Sequence, residues 1–500
     1  MQYPAFVWLI FLLLGAAPLV YLAGRLARLA PFHSESAARW AALIALLVAW
    51  TPLFSAWQQL ESGPASFELG SIALRADGLS LLLATVVVML STLVVLFSAT
   101  YLEGETGESK YYAMLVAMTG VIAGLGCAAD LFNLWLWFEA MAVTSYLLVA
   151  FYRDQPASLE AGVKYLVQSS TGSVLVLIGV ALVLANTGTL DLQEIQVSTA
   201  AGYPLLLAAG ALFAVGFGVK IAMAPMHTWL PDAHSQAPSG ISAMLSGVVI
   251  EAGLIALLRT LAALAGVTAA WGVLLMAFGV LNMVTGNLMA LRQKQVKRML
   301  AYSSLTHVGY MLVGLGVALY AHEVGGASGG FFHLLSHGLM KGLAFLAAGA
   351  LLYALHAAAG SHEPLTISDL AGAASRYPLA AMALSVALLG LGGLPPLVGF
   401  MSKWQIMVAG FATHNFWVEA LIAFAALNSV LSLAYYAPVV NALYREQPSA
   451  QVAGGATVPV LMQAPLALMM IAVVLLGLWP ALVQGMTGAA GAALLAAFGG

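Results

Sequence analysis

The chain has 500 residues, of which 62% are hydrophobic and only 7% are charged, and its formal net charge is −3. A soluble protein of this length could not cover its surface with so little charge, so the composition indicates a membrane protein. The small net charge gives no reason to expect a nucleic-acid partner. The single cysteine, Cys127, excludes a disulfide framework, a cysteine-ligated iron–sulfur cluster and a CxxC redox site within this chain.

The hydrophobic segments predict an all-α polytopic membrane protein, because one helix needs about 20 mostly apolar residues to cross the hydrocarbon core. The first segment lacks the positive region of a signal peptide, and we interpret it as a retained span. Residues 66–80 alternate apolar and polar positions and predict a short extramembrane hairpin. About 14 spans are predicted, and they begin near Tyr3, Arg39, Gly78, Tyr111, Leu131, Ala161, Pro204, Ser239, Ala270, Met299, Gly330, Pro378, Asn415 and Leu461.

Basic residues in the loops predict the orientation, since cytoplasmic loops carry an excess of lysine and arginine. Even-numbered loops hold only Arg75 and Arg259. We therefore expect the odd-numbered loops in the cytoplasm and both termini on the other side, in the inner membrane of a prokaryotic cell. The cations assigned to odd-numbered loops are Arg25, Arg28, Arg39, Lys110, Arg153, Arg292, Lys294, Lys297, Arg298, Arg376 and Arg445.

Several charged residues lie within or at the edge of apolar segments, where a charge near the bilayer centre costs about 2.5–3.5 kcal/mol on insertion scales. A structural ion pair, or a lysine that reaches the interface, would explain each one singly. Together they favour a conducting function, because buried lysine and glutamate can both titrate near neutral pH. The set comprises Glu139, Lys164, Lys220, Glu251, Lys341 and Lys403.

The eleventh segment places His333, His337 and Lys341 four residues apart, so they share one helix face. Two histidines at this spacing could bind a metal, but no acidic or cysteine ligand is near in sequence. Two core histidines bonded to neighbours are the other alternative to a proton relay, which imidazole suits because it accepts and donates near pH 7. The glycines of residues 325–330 predict a flexible loop before this segment, and not a phosphate-binding loop, since no strand precedes it.

A short repeat links the seventh and twelfth segments, where Gly216-Phe217-Gly218-Val219-Lys220 resembles Gly399-Phe400-Met401-Ser402-Lys403. Both copies stand beside helix-breaking proline, Pro225 in one case and Pro395 and Pro396 in the other. Proline inside a span frees backbone groups, which only protein or water can satisfy. Five spans separate the copies, so either two inverted five-helix repeats with broken helices 7 and 12 are present, as in many transporters, or the likeness is coincidence.

The sequence from Met223 to Pro238, M-A-P-M-H-T-W-L-P-D-A-H-S-Q-A-P, carries a specific resemblance. The chain resembles the antiporter-like proton-translocating subunits of respiratory complex I (L, M and N type), of membrane-bound hydrogenases and of Mrp-type cation/proton antiporters. The likeness covers roughly Tyr111 to Lys403 and includes Trp137-Phe138-Glu139.

The resemblance implies roles for individual residues. Glu139 and Lys220 are similar to the family's ion pair; His333, His337 and Lys341 to its connecting axis; Lys403 to its terminal proton-passing group. His227, Asp232 and His234 are expected to order the loop after the seventh span, while Lys164, Pro225, Pro395 and Pro396 have supporting roles.

Glu251 departs from the family pattern, because many relatives carry lysine or histidine at that position. Three interpretations stay open: a relay group, a carboxylate that favours charged Lys220, or an oxygen ligand for sodium.

The resemblance implies a proton-translocating subunit of a multisubunit redox-driven complex, either a complex I-like NADH/quinone oxidoreductase or a membrane hydrogenase. A subunit of an Mrp-type antiporter is the alternative. No flavin, haem or nucleotide motif is present, so we expect no cofactor and no metal in this chain. Expected partners are other membrane subunits, the lipid bilayer and protons, with sodium left open. We expect three N-terminal spans in residues 1–110, half-channels in 111–260 and 270–440, and a last span in 441–500.

Overall fold

The computed structural model describes residues 3–29, 36–70, 72–199, 203–361 and 363–499. Within these ranges, thirteen continuous helical segments are long and apolar enough to cross a membrane. Up to residue 263 the helices are α1 (Ala5–Leu29), α2 (Ser36–Leu60), α3 (Gly78–Tyr101), α4 (Glu108–Cys127), α5 (Leu131–Val149), α6 (Pro156–Thr187), α7 (Leu192–Ser198), α8 (Pro204–Ile221), α9 (Trp229–Gln236), α10 (Ser239–Met244) and α11 (Ile250–Ala263).

Helices α10 and α11 together form the eighth span, which is buried inside the bundle. A π-helical turn, Leu245–Val249, joins α10 to α11. The remaining helices are α12 (Trp271–Ala290), α13 (Val296–Ala321), α14 (Val324–Leu355), α15 (Ala373–Arg376), α16 (Pro378–Gly392), α17 (Val398–Ala412), α18 (Phe416–Leu443), α19 (Ala450–Gly454), α20 (Val460–Leu478) and α21 (Ala481–Ala497).

The predicted hairpin is confirmed. Strands β1 (Ala65–Leu69) and β2 (Ile72–Ala76) pair antiparallel, with Phe67 opposite Leu74. Asp77 follows β2 and caps α3 by accepting a hydrogen bond of 2.9 Å from the amide of Ser80. Its carboxylate also accepts a hydrogen bond from Arg259 at 2.9 Å. Arg259 lies in α11, and not in a loop as predicted. Burial raises the pKa of the Asp77 carboxyl, but Arg259 and Ser80 outweigh burial and hold that pKa below its usual range.

The seventh and twelfth spans are broken at the predicted prolines. The seventh span stops at Ile221 and resumes as α9, and the twelfth span consists of α16 and α17. The peptide bonds before Pro225 and Pro396 are cis. The broken twelfth span, added to the thirteen continuous segments, accounts for the fourteen predicted spans.

The prediction about the start of the eleventh span is wrong. The glycine-rich residues 325–330 are not a loop but the first turns of α14. Their glycines serve close packing: a Cβ at Gly326 would lie 3.2 Å from Ala318 of α13. In addition, the chain after the fourteenth span forms a separate helix, α21, which starts after Pro480 and packs against α3 and α14.

Two cations that were assigned to odd-numbered loops are buried in helices. Arg39 lies in α2 and donates to Glu108 of α4 at 2.8 Å. Lys297 lies in the first turn of α13, where it is 6% exposed. The loop count on which the orientation depends therefore included residues that do not face water.

Candidate functional site

A cluster of three histidines occupies the centre of the bundle, between α13 and α14. His333 and His337 lie on the face of α14 that packs against α13, as their spacing predicts. His307 of α13 stands between them, with its ring centroid 5.2 Å from that of His333 and 5.3 Å from that of His337. His307 Nδ1 and His333 Nε2 are 3.1 Å apart, at hydrogen-bond distance. All three side chains are fully buried.

Each end of the histidine cluster contacts a different span. His337 Nδ1 lies 2.9 Å from Glu251 Oε1 on α11, and both side chains are inaccessible to solvent. His333 Nδ1 lies 2.9 Å from Ser402 Oγ on α17. Ser402 precedes Lys403, so the cluster connects the eighth span to the lysine of the broken twelfth span.

Lys403 is held by the break in its own span. Its Nζ donates to the carbonyl of Leu391 at 2.7 Å and to Ser429 Oγ at 2.7 Å. Ser429 in turn donates to the carbonyl of Gly392 at 3.1 Å. The interruption of α16 frees these two carbonyls, so the break itself supplies acceptors for the lysine. The Tyr310 ring, 4.6 Å from Nζ, covers the other side.

Lys341 continues the stripe of α14 and also contacts α13. Its Nζ donates to Ser303 Oγ at 2.6 Å and to the carbonyl of Leu300 at 2.8 Å. Ser303 is hydrogen-bonded to Tyr436 of α18. A polar connection therefore runs from α14 through α13 to the thirteenth span.

Lys220 occupies the end of α8, just before the break in the seventh span. Its Nζ donates to Tyr165 Oη at 2.7 Å and to Ser145 Oγ at 3.2 Å. Tyr165 stacks on Trp229, the first residue of α9, with ring centroids 3.9 Å apart. Trp229 Nε1 donates to the carbonyl of Val219 at 2.7 Å and so satisfies a backbone group near the break.

The predicted ion pair between Glu139 and Lys220 is not a direct contact, since no oxygen of Glu139 lies within 4 Å of Lys220 Nζ. Glu139 shares its face of α5 with Leu136 and Phe132, which are 51% and 48% exposed. It is itself half-buried, and Oε2 has no hydrogen-bond partner among the described residues. Glu139 therefore lies on a partly exposed face of α5 with one carboxylate oxygen buried, and its charge acts on Lys220 without direct contact, whereas Ser145 of the same helix accepts a hydrogen bond from Lys220.

Glu251 faces away from Lys220. A Cβ at Gly253 would lie 3.3 Å from the Lys220 side chain, so that face of α11 packs on α8. Two residues along a helix correspond to a rotation of about 200°, which turns Glu251 to the opposite side, towards α14. Of the three interpretations left open for Glu251, a direct contact with Lys220 is not seen among the described residues. Its partner is His337, and its Oε2 has no partner among the described residues.

Lys164 is a surface residue and not a buried charge. Its side chain is 48% exposed and pairs with Glu160 at 2.7 Å and with Asp232 of α9 at 3.0 Å. Asp232 also accepts from Arg298 of α13 at 2.6 Å. Asp232 thus ties α9 to α6 and α13, which is an ordering contact of the kind expected for the loop after the seventh span.

His227 and His234 were also expected to order the loop after the seventh span, and the structure places them differently. His234 is fully buried and stacks on Phe345 with ring centroids 4.7 Å apart, and neither ring nitrogen has a hydrogen-bond partner among the described residues. His227 Nδ1 is likewise buried and has no partner there. The His234 side chain therefore forms no hydrogen bond that orders the loop, whereas the His227 ring hydrogen-bonds the backbone at Pro225.

Lys297 is the second ionisable residue that sequence reasoning missed, after His307. Its Nζ donates to the carbonyl of Ala237 at 2.5 Å. It lines a cavity of about 50 Å³ that Glu105 and Glu363 also line, on the face of the molecule that carries the odd-numbered loops. The charges of Lys297 and Lys341 both act on His234.

The sequence did contain signals for the missed residues. His307 follows Ser303, Ser304 and Thr306 inside an apolar segment, so the rule applied to buried lysines would have selected it. Lys297 was overlooked because the predicted start of its span, Met299, placed it outside the membrane. Among the described residues, no group of three or more histidine, cysteine, aspartate or glutamate side chains is arranged to hold a metal ion.

Two family profiles match the sequence of this chain. The profile of the family described as "NADH:quinone oxidoreductase/Mrp antiporter, TM" matches residues 128–432. The profile described as "NADH-Ubiquinone oxidoreductase (complex I), chain 5 N-terminus" matches residues 65–112.

Relatives and solved structures cover most of the chain. The F(420)H(2) dehydrogenase subunit N of Methanosarcina mazei is 31% identical over 77% of this chain and 77% of its own. The NADH-quinone oxidoreductase subunit N 2 of Roseiflexus castenholzii is 35% identical over 74% of each chain.

Three solved complexes contain a chain of this shape. A chain of an archaeal membrane-bound sulfane sulfur reductase is 28% identical, with a TM-score of 0.86 over 99% of this chain and 98% of its own. A chain of respiratory complex I from Thermus thermophilus is 27% identical, with a TM-score of 0.76 over 95% and 98%. A chain of the Mrp complex from Dietzia shares the fold at 21% identity, with a TM-score of 0.84 over 99% of each chain. The chain therefore belongs to the NADH:quinone oxidoreductase/Mrp antiporter family of integral membrane subunits.

Proposed function

We propose that this chain is a proton-translocating subunit of a multisubunit, redox-driven membrane complex. The observation that carries the proposal is a buried row of five side chains that ends beside Lys403: Glu251, His337, His307, His333 and Ser402. Neighbours in this row lie at hydrogen-bond distance, except His337 and His307, whose rings stack with centroids 5.3 Å apart. Imidazole accepts and donates protons near neutral pH, so neighbouring histidines at these distances suit proton transfer. A purely structural network would not require so many titratable groups without fixed charge partners.

The relay has two halves in this proposal. Lys220 with Tyr165 and Ser145 forms the first, and the histidine cluster with Lys341 and Lys403 forms the second. No direct hydrogen bond between described residues connects Lys220 to Glu251. The buried oxygen Glu251 Oε2 and the ring nitrogen His337 Nε2 have no protein partner, and such buried polar atoms are usually served by ordered water. We assign the connection between the halves to water.

The cavity beside Lys297 is the proposed point of proton uptake for the second half. Glu105 and Glu363 at the cavity attract protons, and Lys297 carries the buried ammonium next to them. Both ring nitrogens of buried His234 have no hydrogen-bond partner among the described residues, so the step from Lys297 into the bundle is assigned to water.

Glu139 has a different role, because it lies on a partly exposed face of α5 and does not contact Lys220 directly. A half-buried carboxylate on such a face suits contact with a neighbouring membrane subunit, through which a distant redox event would change the charge around Lys220. Coupling of this kind is a free-energy exchange between two separate sites. No residue of this chain is assigned to electron transfer.

The sequence relatives are subunits of F420H2 dehydrogenase and NADH-quinone oxidoreductase, and their names favour a quinone- or F420H2-linked complex. The Mrp complex supports the antiporter alternative through fold alone. A hydrogenase partner has less direct support. We retain the orientation with odd-numbered loops in the cytoplasm of a prokaryotic cell. We also favour protons over sodium, because Glu251 bonds an imidazole and no cluster of carboxylates surrounds it among the described residues.

The test is proton uptake by inverted membrane vesicles that contain the assembled complex. We expect Lys220→Ala to lower uptake by about a hundredfold, the lower end of the range for loss of one proton-transfer group. Glu139→Gln should also lower uptake severely, because it removes the charge that couples the neighbouring subunit to Lys220. The exposed Lys294→Ala is the matched lysine control and should leave uptake unchanged. Uptake in the parent should not require sodium. Normal uptake in both the Lys220 and Glu139 variants would contradict the proposal, and sodium dependence that Glu251→Lys removes would favour cation exchange.

A further inference from the structure

A basic pocket lies on the face of the molecule that carries the odd-numbered loops, away from the polar axis. Its volume is about 280 Å³, and it is lined by the end of α1, the start of α4 and the end of α5. Four cationic side chains from three separate parts of the chain line it: Arg25, Arg28, Lys110 and Arg153. We call this the basic pocket.

Among the described residues, no carboxylate lines the basic pocket, although acidic residues are close in sequence. Glu103 and Glu108 turn towards Arg39 of α2, at 3.2 and 2.8 Å. Glu105 faces the separate cavity beside Lys297. Arg25, Lys110 and Arg153 therefore have no acidic partner among the described residues, which favours an anionic ligand.

The remaining wall of the basic pocket is apolar and faces outwards. Leu147, Leu148 and Met114 line it, and Leu147 is 47% exposed on the outer surface of α5. Since the bundle spans a membrane, this wall continues into the hydrocarbon region. The pocket thus presents arginine and lysine at the membrane surface directly beside an apolar surface.

We propose that the basic pocket binds the headgroup of an anionic phospholipid, with an acyl chain along the wall at Leu147 and Leu148. Arginine matches the oxygens of a phosphodiester with paired hydrogen bonds, and lysine adds a point charge. Basic pockets between transmembrane helices at the cytoplasmic side bind lipids of this class. A free phosphate would use the cations but not the apolar wall, so the wall distinguishes the two sources of the anion. The bound lipid joins α1, α4 and α5, and α5 carries Glu139.

The experiment uses the detergent-solubilised complex, stripped of loosely bound lipid and titrated separately with phosphatidylglycerol, phosphatidylcholine and inorganic phosphate. Native mass spectrometry counts bound lipid, and the apparent Kd is compared between variants. One cation contributes about a fivefold change in affinity, from roughly 1 kcal/mol per lysine or arginine near the surface. Arg153→Gln should therefore weaken phosphatidylglycerol binding about fivefold, and the triple change Arg25→Gln, Lys110→Gln and Arg153→Gln about a hundredfold.

The matched control removes the same charge from the same face at exposed positions that line no pocket described here: Arg292→Gln, Lys294→Gln and Arg445→Gln. Unchanged affinity in this control, together with weak phosphatidylcholine binding, supports the basic pocket. An equal loss in the control would overturn the proposal, because general surface charge would then explain the binding. Inorganic phosphate that competes at concentrations similar to the lipid would also overturn it, since the apolar wall would then contribute nothing.

Discussion

At the scale of the residue, the polar axis depends on His307. It touches both histidines of α14, one through a nitrogen at hydrogen-bond distance and both through ring contacts. The ring centroids of His333 and His337 are 6.4 Å apart, farther than either is from the ring of His307, so His307 is what connects them. His307 Nε2 has no partner among the described residues, which leaves one nitrogen able to exchange a proton with water.

We expect His307→Gln to lower proton uptake by at least roughly tenfold, because glutamine keeps a polar group but cannot carry a proton at neutral pH. Uptake by inverted vesicles is the measurement, with the thermal midpoint of the purified complex recorded alongside. The matched control is the exposed His414→Asn, since asparagine tolerates the positive φ of 48° at that position. A His307→Gln complex that pumps like the parent would show that protons bypass this histidine.

At the scale of the element, the eighth span and α14 meet through glycine. A Cβ at Gly338 would lie 2.7 Å from the carbonyl oxygen of Gly247, closer than side chains approach backbone. This close approach brings Glu251 within 2.9 Å of His337, one residue before Gly338. The π-helical turn Leu245–Val249 includes Gly247. Turns of this kind occur often at functional sites.

We expect Gly338→Ala to separate α14 from the eighth span, destabilise the complex by about 1–3 kcal/mol and reduce proton uptake. Thermal unfolding and vesicle uptake measure the two effects. Gly485→Ala of α21 is the control, because nothing lies within 4 Å of its Cβ position. Alanine there should be neutral or slightly stabilising. If Gly338→Ala matched this control in both measurements, the close crossing would have no functional importance.

At the scale of the whole molecule, the two broken spans carry their lysines on opposite sides of the break in chain order. Lys220 precedes Pro225, and Lys403 follows Pro396. Both lysines use hydroxyl groups of neighbouring spans as acceptors, Tyr165 and Ser145 in one half and Ser429 in the other. Two half-channels of opposite chain direction can move protons across the membrane only if the protein has one defined orientation. The loop cations predict that orientation only in part, since Arg39 and Lys297 are buried.

Cysteine labelling tests that orientation, because the one native cysteine, Cys127, is buried and should react little. We expect Gln193→Cys, in α7 of an even-numbered loop, to react with a membrane-impermeant maleimide in intact cells. Lys294→Cys, in an odd-numbered loop, should react only after the membrane is opened. Both native side chains are exposed, so both thiols would be accessible. The reverse labelling pattern would place the odd-numbered loops outside the cytoplasm.

The sequence by itself determined the class of fold, the number of spans, the hairpin and the two breaks. It also selected most of the polar axis, because a charge or histidine inside an apolar helix is costly enough to stand out in any sequence. Boundaries were less certain: a start placed at Met299 instead of Val296 was enough to leave Lys297 outside the membrane.

Only the tertiary structure decided which of these groups meet. Hydropathy gives the depth of a residue along a helix but not the neighbour that its face packs against, which depends on the rotation of each helix. Close contacts at Gly253 and Gly338 fix that rotation, so Glu251 pairs with His337 and not with Lys220. The rotations of α5 and α13 likewise place Glu139 on a partly exposed face and His307 between two histidines of another helix.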